Sequence, residues 1–287
     1  MANAPHFLVL ARFGAIGIGG IILGGILILA GCQSSLIYFP RSYPDRLLAD
    51  AHAAGVIPIL FETTQGKQVA HFLPHKKPPQ HATSLWMITA GNGSLALDYL
   101  EHAMRWQNEH PAASFLFVDY PGYGDCQGHP DPSTITENLR AAHNHLTTSE
   151  IINQPIHLGC FGHSLGAAAA LIAAEQLEAD RVILVSPFTS MTDMAEVQFG
   201  KWAGYILRHH FDNRARMQEL ACRDDVEVII FHGKSDRIVP AEMSEELARS
   251  HPKMVSALHL TRRAGHNSIL KKADHSISEA VTRPFSH

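Results

Sequence analysis

Apolar and polar positions alternate on two different periods along most of this chain. A nearly unbroken apolar run over 13–31 comes first, and a stretch with little periodicity follows over 33–55. Period-two patterning over 57–63 and 67–73, joined by Thr64-Gln65-Gly66, predicts a hairpin. The proline-rich polar stretch 74–80 reads as a surface loop. Short apolar runs then alternate with longer amphipathic ones. They predict strands at 84–89, 114–120, 156–162, 181–186, 226–232 and 256–261. Helices are predicted from Ser94, as cap, to about 108, then over 134–147, 164–178, 241–250 and 267–281. Ser133 or Thr134 is the expected cap of the second, with Glu137 closing a capping box.

Strictly alternating strands and helices imply βαβ units, hence an α/β fold with a mostly parallel twisted sheet flanked by helices. The segment 187–225 is longer than an ordinary crossover. It carries Trp202, Tyr205 and Phe211, the candidates for a short cap. The chain divides into a leader (1–31), a tether and lead-in (32–55) in which Tyr38 and Tyr43 serve as packing anchors, and a catalytic-sized domain (56–287).

At 287 residues, 46% of them hydrophobic, the chain is long enough for a sizeable core. A formal charge of −4 gives no case for nucleic acid as a partner. The twenty histidines show no metal-ligand spacing: His143 and His145 point to different faces of a helix, and His209-His210 is a tandem pair.

The leader has Arg12 ahead of the apolar run and ends in Leu29-Ala30-Gly31-Cys32. Small residues before a cysteine resemble the lipobox of bacterial lipoproteins. That resemblance implies a lipid on Cys32, a membrane-tethered and extracytoplasmic domain, and outer-membrane sorting, since Gln33 rather than aspartate follows. An uncleaved single-pass anchor helix and an ordinary cleaved signal are the other readings of the run. Cys126, Cys160 and Cys222 remain, with Cys160 placed as a small core residue on a buried strand.

The chemistry centres on Gly162-His163-Ser164-Leu165-Gly166 between a predicted strand and an alanine-rich helix. A nucleophile elbow needs this order: the serine occupies a strained strand-to-helix turn, and a Cβ on either glycine would strike the turn or the next strand. A serine hydroxyl also needs a base and a group to orient that base. Asp236 follows the 226–232 strand and His266 follows the 256–261 strand, so both fall at the sheet edge that carries Ser164. The backbone N–H groups of Leu165 and Asn92 are placed to hold an oxyanion. His163 is expected to point away from the base, Asp119 and His232 to bond loop backbone, and Asp212 to cap a helix.

These motifs, with Ala90-Gly91-Asn92-Gly93, Asp119-Tyr120-Pro121-Gly122-Tyr123-Gly124, Ser186-Pro187-Phe188, His232-Gly233 and Gly265-His266-Asn267, resemble the alpha/beta-hydrolase superfamily. The similarity covers the chain from about Ile57 onward and is strongest to a branch with protein depalmitoylases and bacterial lipoprotein hydrolases. It implies an alpha/beta-hydrolase fold and a serine hydrolase acting on esters or thioesters of a small-molecule or acylated substrate, with no metal or cofactor. A serine peptidase of the same fold and a catalytically silent binding lipoprotein are the rival readings. Ala90 departs from the family's usual histidine, which is expected to loosen the oxyanion turn.

Overall fold

The computed structural model describes residues 31, 33–76, 84–149, 151–152 and 157–285. Residues 1–30 and Cys32 lie outside the described residues, so the leader and lipidation readings lie there too, as do residues 77–80 of the expected loop. Among the described residues no helix is long and apolar enough to cross a membrane.

Among the described residues eight strands form one sheet: β1 (Ile57–Thr63), β2 (Gly66–Leu73), β3 (Ser84–Thr89), β4 (Ala113–Val118), β5 (His157–His163), β6 (Arg181–Val185), β7 (Glu227–Gly233) and β8 (Val255–Thr261). Their order is β1-β2-β4-β3-β5-β6-β7-β8. The β1–β2 hairpin and the β2–β4 pair are antiparallel, and every later pair is parallel. Every residue of β3, β4 and β6 is buried, because helices cover both faces of a parallel sheet.

The helices are α1 (Gln33–Ile37), α2 (Asp45–Ala53), α3 (Leu100–Glu109), α4 (Pro132–Thr148), α5 (Leu165–Gln176), α6 (Met191–Phe199), α7 (Asn213–Leu220), α8 (Ala241–Ser250), α9 (Ser268–Lys272) and α10 (Asp274–Thr282). Helix α5 is apolar all round, and its residues 165–174 are all buried. It packs against β3, β5 and β6 below and α4 and α7 beside it, a depth that small alanine side chains permit.

Local chemistry shifts several expected boundaries. Ser94 does not cap α3: a 3₁₀ turn, Ala96–Tyr99, precedes that helix, and Asp98 accepts from the Leu95 N–H at 2.9 Å. The cap of α4 is Asp131, which accepts from Ser133 N and Thr134 N at 2.7 and 2.9 Å, while the Thr134 hydroxyl accepts from Asp131 N. Proline at N1 fits this earlier start. Glu137 instead accepts from the Thr64 N–H at 2.8 Å, tying the hairpin turn to α4. Asp212 does cap α7, through Ala215 N at 3.0 Å. The closing helix is broken at Ala273 into α9 and α10.

The stretch before β1 is built into the domain. Tyr38 and Tyr43 are buried, and α1 is stitched to the segment after α6: Arg208 N donates to Gln33 Oε1 at 2.7 Å, and Ser34 Oγ lies 3.1 Å from His209 Nε2. The insert between β6 and β7 holds α6, a 3₁₀ turn at Lys201–Ile206, and α7.

Candidate active site

Strand β5 runs directly into α5, and Ser164 sits at the junction with φ 57° and ψ −118°. A side chain is strained there, and the strain persists because the surroundings over-determine it. A Cβ on Gly162 would stand 2.0 Å from Gly166 O, and one on Gly166 would stand 2.3 Å from Thr89 O. Only glycine fits either position. The Thr89 hydroxyl lies 2.8 Å from Gly166 O and 3.1 Å from Phe161 O, bridging the two sides of the turn. Ser164 N donates to Val185 O at 2.9 Å, which fixes the elbow to β6.

Asp236 lies in the loop after β7, and its side chain is fully buried. Its Oδ1 accepts from Ile238 N and Val239 N at 2.9 and 3.0 Å; its Oδ2 accepts from His266 Nδ1 at 2.7 Å. His232 Nε2 lies 3.3 Å from the same Oδ2 and 3.0 Å from Val239 O, with Ser244 Oγ 2.6 Å from its Nδ1. Burial pushes the Asp236 pKa up, but hydrogen bonds from His232 and His266 outweigh it and hold the carboxyl well below the usual carboxylate range. Asp236 is therefore a carboxylate, and His266 presents Nδ1–H to it. That tautomer leaves Nε2 as a lone-pair acceptor.

Ser164 and His266 both line one cavity of about 490 Å³, together with Asn92 and Leu165. The turn carrying Asn92 abuts the elbow: a Cβ on Gly91 would stand 3.7 Å from Ser164 Cβ. Leu165 opens α5 and lines the cavity, so the positive end of that helix's dipole lies at the cavity. The turn at Ala90 is not loose. Tyr120 OH donates to Ala90 O at 2.6 Å, Tyr123 OH to Asn92 O at 2.6 Å, and Asn92 Nδ2 to Ile37 O at 2.9 Å. Asp119, pushed up to about 6 by burial, accepts from Ala96 N at 2.8 Å and from the Tyr43 hydroxyl.

His163 corrects its expected placement. Its ring centroid lies 4.9 Å from that of His266, and Nε2–H donates to His266 O at 3.1 Å. Nδ1 faces Tyr99 OH at 3.0 Å. Burial, then the neighbouring His266, hold His163 down at about 3, so the ring is neutral. One buried ring thus links Tyr99 to the loop of His266. Among the described residues no cluster of three or more His, Cys, Asp or Glu is placed to hold a metal ion.

The cavity wall is mostly apolar. Phe188, Met191, Met194, Phe199 and Trp202 come from the insert, and Leu36 and Ile37 come from α1. Of the three aromatic cap candidates, Trp202 alone lines it; Tyr205 points to solvent and Phe211 is buried in the core. The contribution of α1 was invisible in the sequence, because five residues are too few to show a period.

No protein-family model matches the chain. It is 30% identical to the protein Rv2307c of Mycobacterium tuberculosis over 235 residues, covering 80% of each chain. It is 26% identical to the alpha/beta hydrolase domain-containing protein WAV2 of Arabidopsis thaliana over 198 residues, 65% of this chain and 62% of that one. The fold superposes on the Pyrococcus furiosus esterase Pf2001 with a TM-score of 0.66 at 15% identity, covering 87% of this chain and 98% of that one. With relatives over most of its length and the same arrangement of strands and helices, this chain belongs to the alpha/beta-hydrolase superfamily.

Proposed function

We propose that the protein is a serine hydrolase that cleaves carboxylic esters or thioesters through an acyl-enzyme on Ser164. One observation carries the reading: the strained elbow serine and a His266 held at 2.7 Å by a buried carboxylate line the same largely apolar cavity. His266 Nε2 takes the Ser164 proton as the hydroxyl oxygen attacks the substrate carbonyl carbon. Asp236 holds the tautomer and stabilises the imidazolium. The oxyanion is met by the N–H groups of Leu165 and Asn92. The alcohol or thiol leaves with the proton from His266, and water, deprotonated by His266, releases the acid.

The cavity wall suits an apolar acyl chain rather than a charged one. The run 13–31 with Cys32 supports a membrane-tethered, extracytoplasmic placement, through lipid or through an anchor helix. The test uses the full-length chain in detergent. Wild type and Ser164→Ala are compared for fluorophosphonate labelling and for p-nitrophenyl ester hydrolysis across acyl lengths. Labelling and turnover are expected together in wild type, rising with chain length, and to vanish together in the variant. A folded wild type that neither labels nor turns over any ester defeats the reading.

A further inference from the structure

We infer that the mouth of the cavity is a lipid-docking rim, so that the acyl chain enters Ser164's site directly from the bilayer to which the leader attaches the chain. Leu36, Phe199, Trp202 and Ile238 line the cavity yet are each between 46% and 53% exposed. Phe39, Val197 and Tyr205 stand on the same segments, and Tyr205 is 90% exposed. Elsewhere among the described residues the exposed large apolar side chains are Ile57, Leu60 and Ile151, two of them on the edge strand β1. The apolar exposure is therefore gathered around one opening, which in a soluble surface marks an interaction site. Aromatic side chains with a polar handle, such as Trp202 and Tyr205, favour the boundary between water and hydrocarbon.

Chain connectivity selects the occupant. The apolar run ends at Gly31, and α1 begins at Gln33. Two residues span at most about 7 Å, so whatever membrane holds the run lies beside α1. Helix α1 is in turn fixed to the cap through Gln33 to Arg208 and Tyr38 to His209, and its Leu36 and Ile37 form part of the cavity wall. Tether, cap and mouth thus adjoin one another. A bilayer reaching the tether also reaches the rim, and burying the rim there removes the exposed apolar surface from water.

The inference rests on the hydrolase reading only for what passes through the mouth, and the experiment separates the two. Full-length protein is reconstituted into phosphatidylcholine vesicles with plain or dibrominated acyl chains. Trp86 and Trp106 are fully buried, so quenching by bromine reads Trp202, and Trp202→Phe supplies the baseline. Val197→Asp/Tyr205→Asp changes the rim at two positions that do not line the cavity. Wild type is expected to show bromine quenching that the double variant and Trp202→Phe lack. The double variant is also expected to lose about ten-fold in turnover of a long-chain p-nitrophenyl ester dissolved in the vesicles, with p-nitrophenyl butyrate turnover in water unchanged. Absence of Trp202 quenching in wild type, or equal turnover of the embedded ester by the double variant, overturns the docking rim. A wild type that is quenched but turns over neither ester leaves the rim standing and defeats the hydrolase reading instead.

Discussion

His163 Nε2–H reaches the carbonyl oxygen of His266 at 3.1 Å, so the residue beside the elbow serine holds the backbone of the proposed base. The ring's Nδ1 faces the Tyr99 hydroxyl at 3.0 Å. Removing the ring frees the loop of His266 while leaving Ser164 and Asp236 in place. His163→Ala is expected to lower kcat about 10- to 100-fold, the scale of a small misplacement of a reacting group, with KM little changed. A variant that raises KM and keeps kcat would show that His163 serves binding rather than placement of the base.

The elbow stores strain that the fold opposes elsewhere. At φ 57° and ψ −118°, glycine is free and alanine is not. Ser164→Gly and Ser164→Ala are both expected to abolish turnover, with the glycine variant about 1 kcal/mol more stable in urea denaturation. Gly162→Ala should behave oppositely, since its Cβ would overlap Gly166 O; a loss of about 3 kcal/mol or failure to fold is expected. Equal urea midpoints for the two Ser164 variants would remove strain from the account of the elbow.

What the sequence revealed and what it hid divide by range. The elbow, the strand ends carrying Asp236 and His266, and the hairpin are local patterns, each written in a few adjacent residues. Asp119 and His232 were also legible, because a polar residue at the end of a buried strand must bond the next loop. The wall formed by α1 was not, since it depends on contacts such as Gln33 to Arg208 between distant parts of the chain. His163 was misjudged for a related reason. Its position on the elbow is local, but its partner's carbonyl arrives from the loop after β8. The cap of α4 moved to Asp131 because a carboxylate accepts from two N–H groups at once, whereas the hydroxyl of Thr134 was available to complete the box in return.

Arg181 opens β6 and is buried under the C-terminal segment. Its Nε donates to Glu227 Oε2 at 2.7 Å, and its Nη atoms donate to Arg283 O and Pro284 O, each at 2.8 Å. The guanidinium carbon lies 4.3 Å from the Phe285 ring centroid. One planar fork thus ties the end of the chain to the sheet. Arg181→Met leaves these carbonyls without their donor and removes one of the two guanidinium partners of Glu227, at an expected cost of about 3 kcal/mol. Urea denaturation measures it, and limited proteolysis should cut the last residues of the variant first. An unchanged midpoint would mean that the C-terminal segment adds nothing to stability.

Acid should destabilise the native state before Asp236 is protonated. His163 and His71 are buried and lowered to about 3 and about 4, whereas unfolded imidazoles titrate near about 6.5. As pH falls below that value the unfolded chain takes up protons that the native rings refuse, so stability falls with pH, by about 1.4 kcal/mol per unit for each ring. Asp119 acts the other way. Raised to about 6 by burial, it binds a proton in the native state before it would in the unfolded one, which returns about the same amount between pH 6 and 4. The three together give a net loss of about 1.4 kcal/mol per unit over that window. Below about pH 4 the depressed Asp236 adds to the loss, because its stabilisation exists above the unfolded carboxylate pKa and disappears as pH falls through the folded one. His71 lies away from the cavity with its ring edge-on to Tyr43, so His71→Phe isolates one contribution. Urea denaturation between pH 6 and 4 should show a slope about 1.4 kcal/mol per unit shallower in His71→Phe than in wild type. Parallel slopes would mean that His71 takes up its proton in the folded protein as readily as in the unfolded chain.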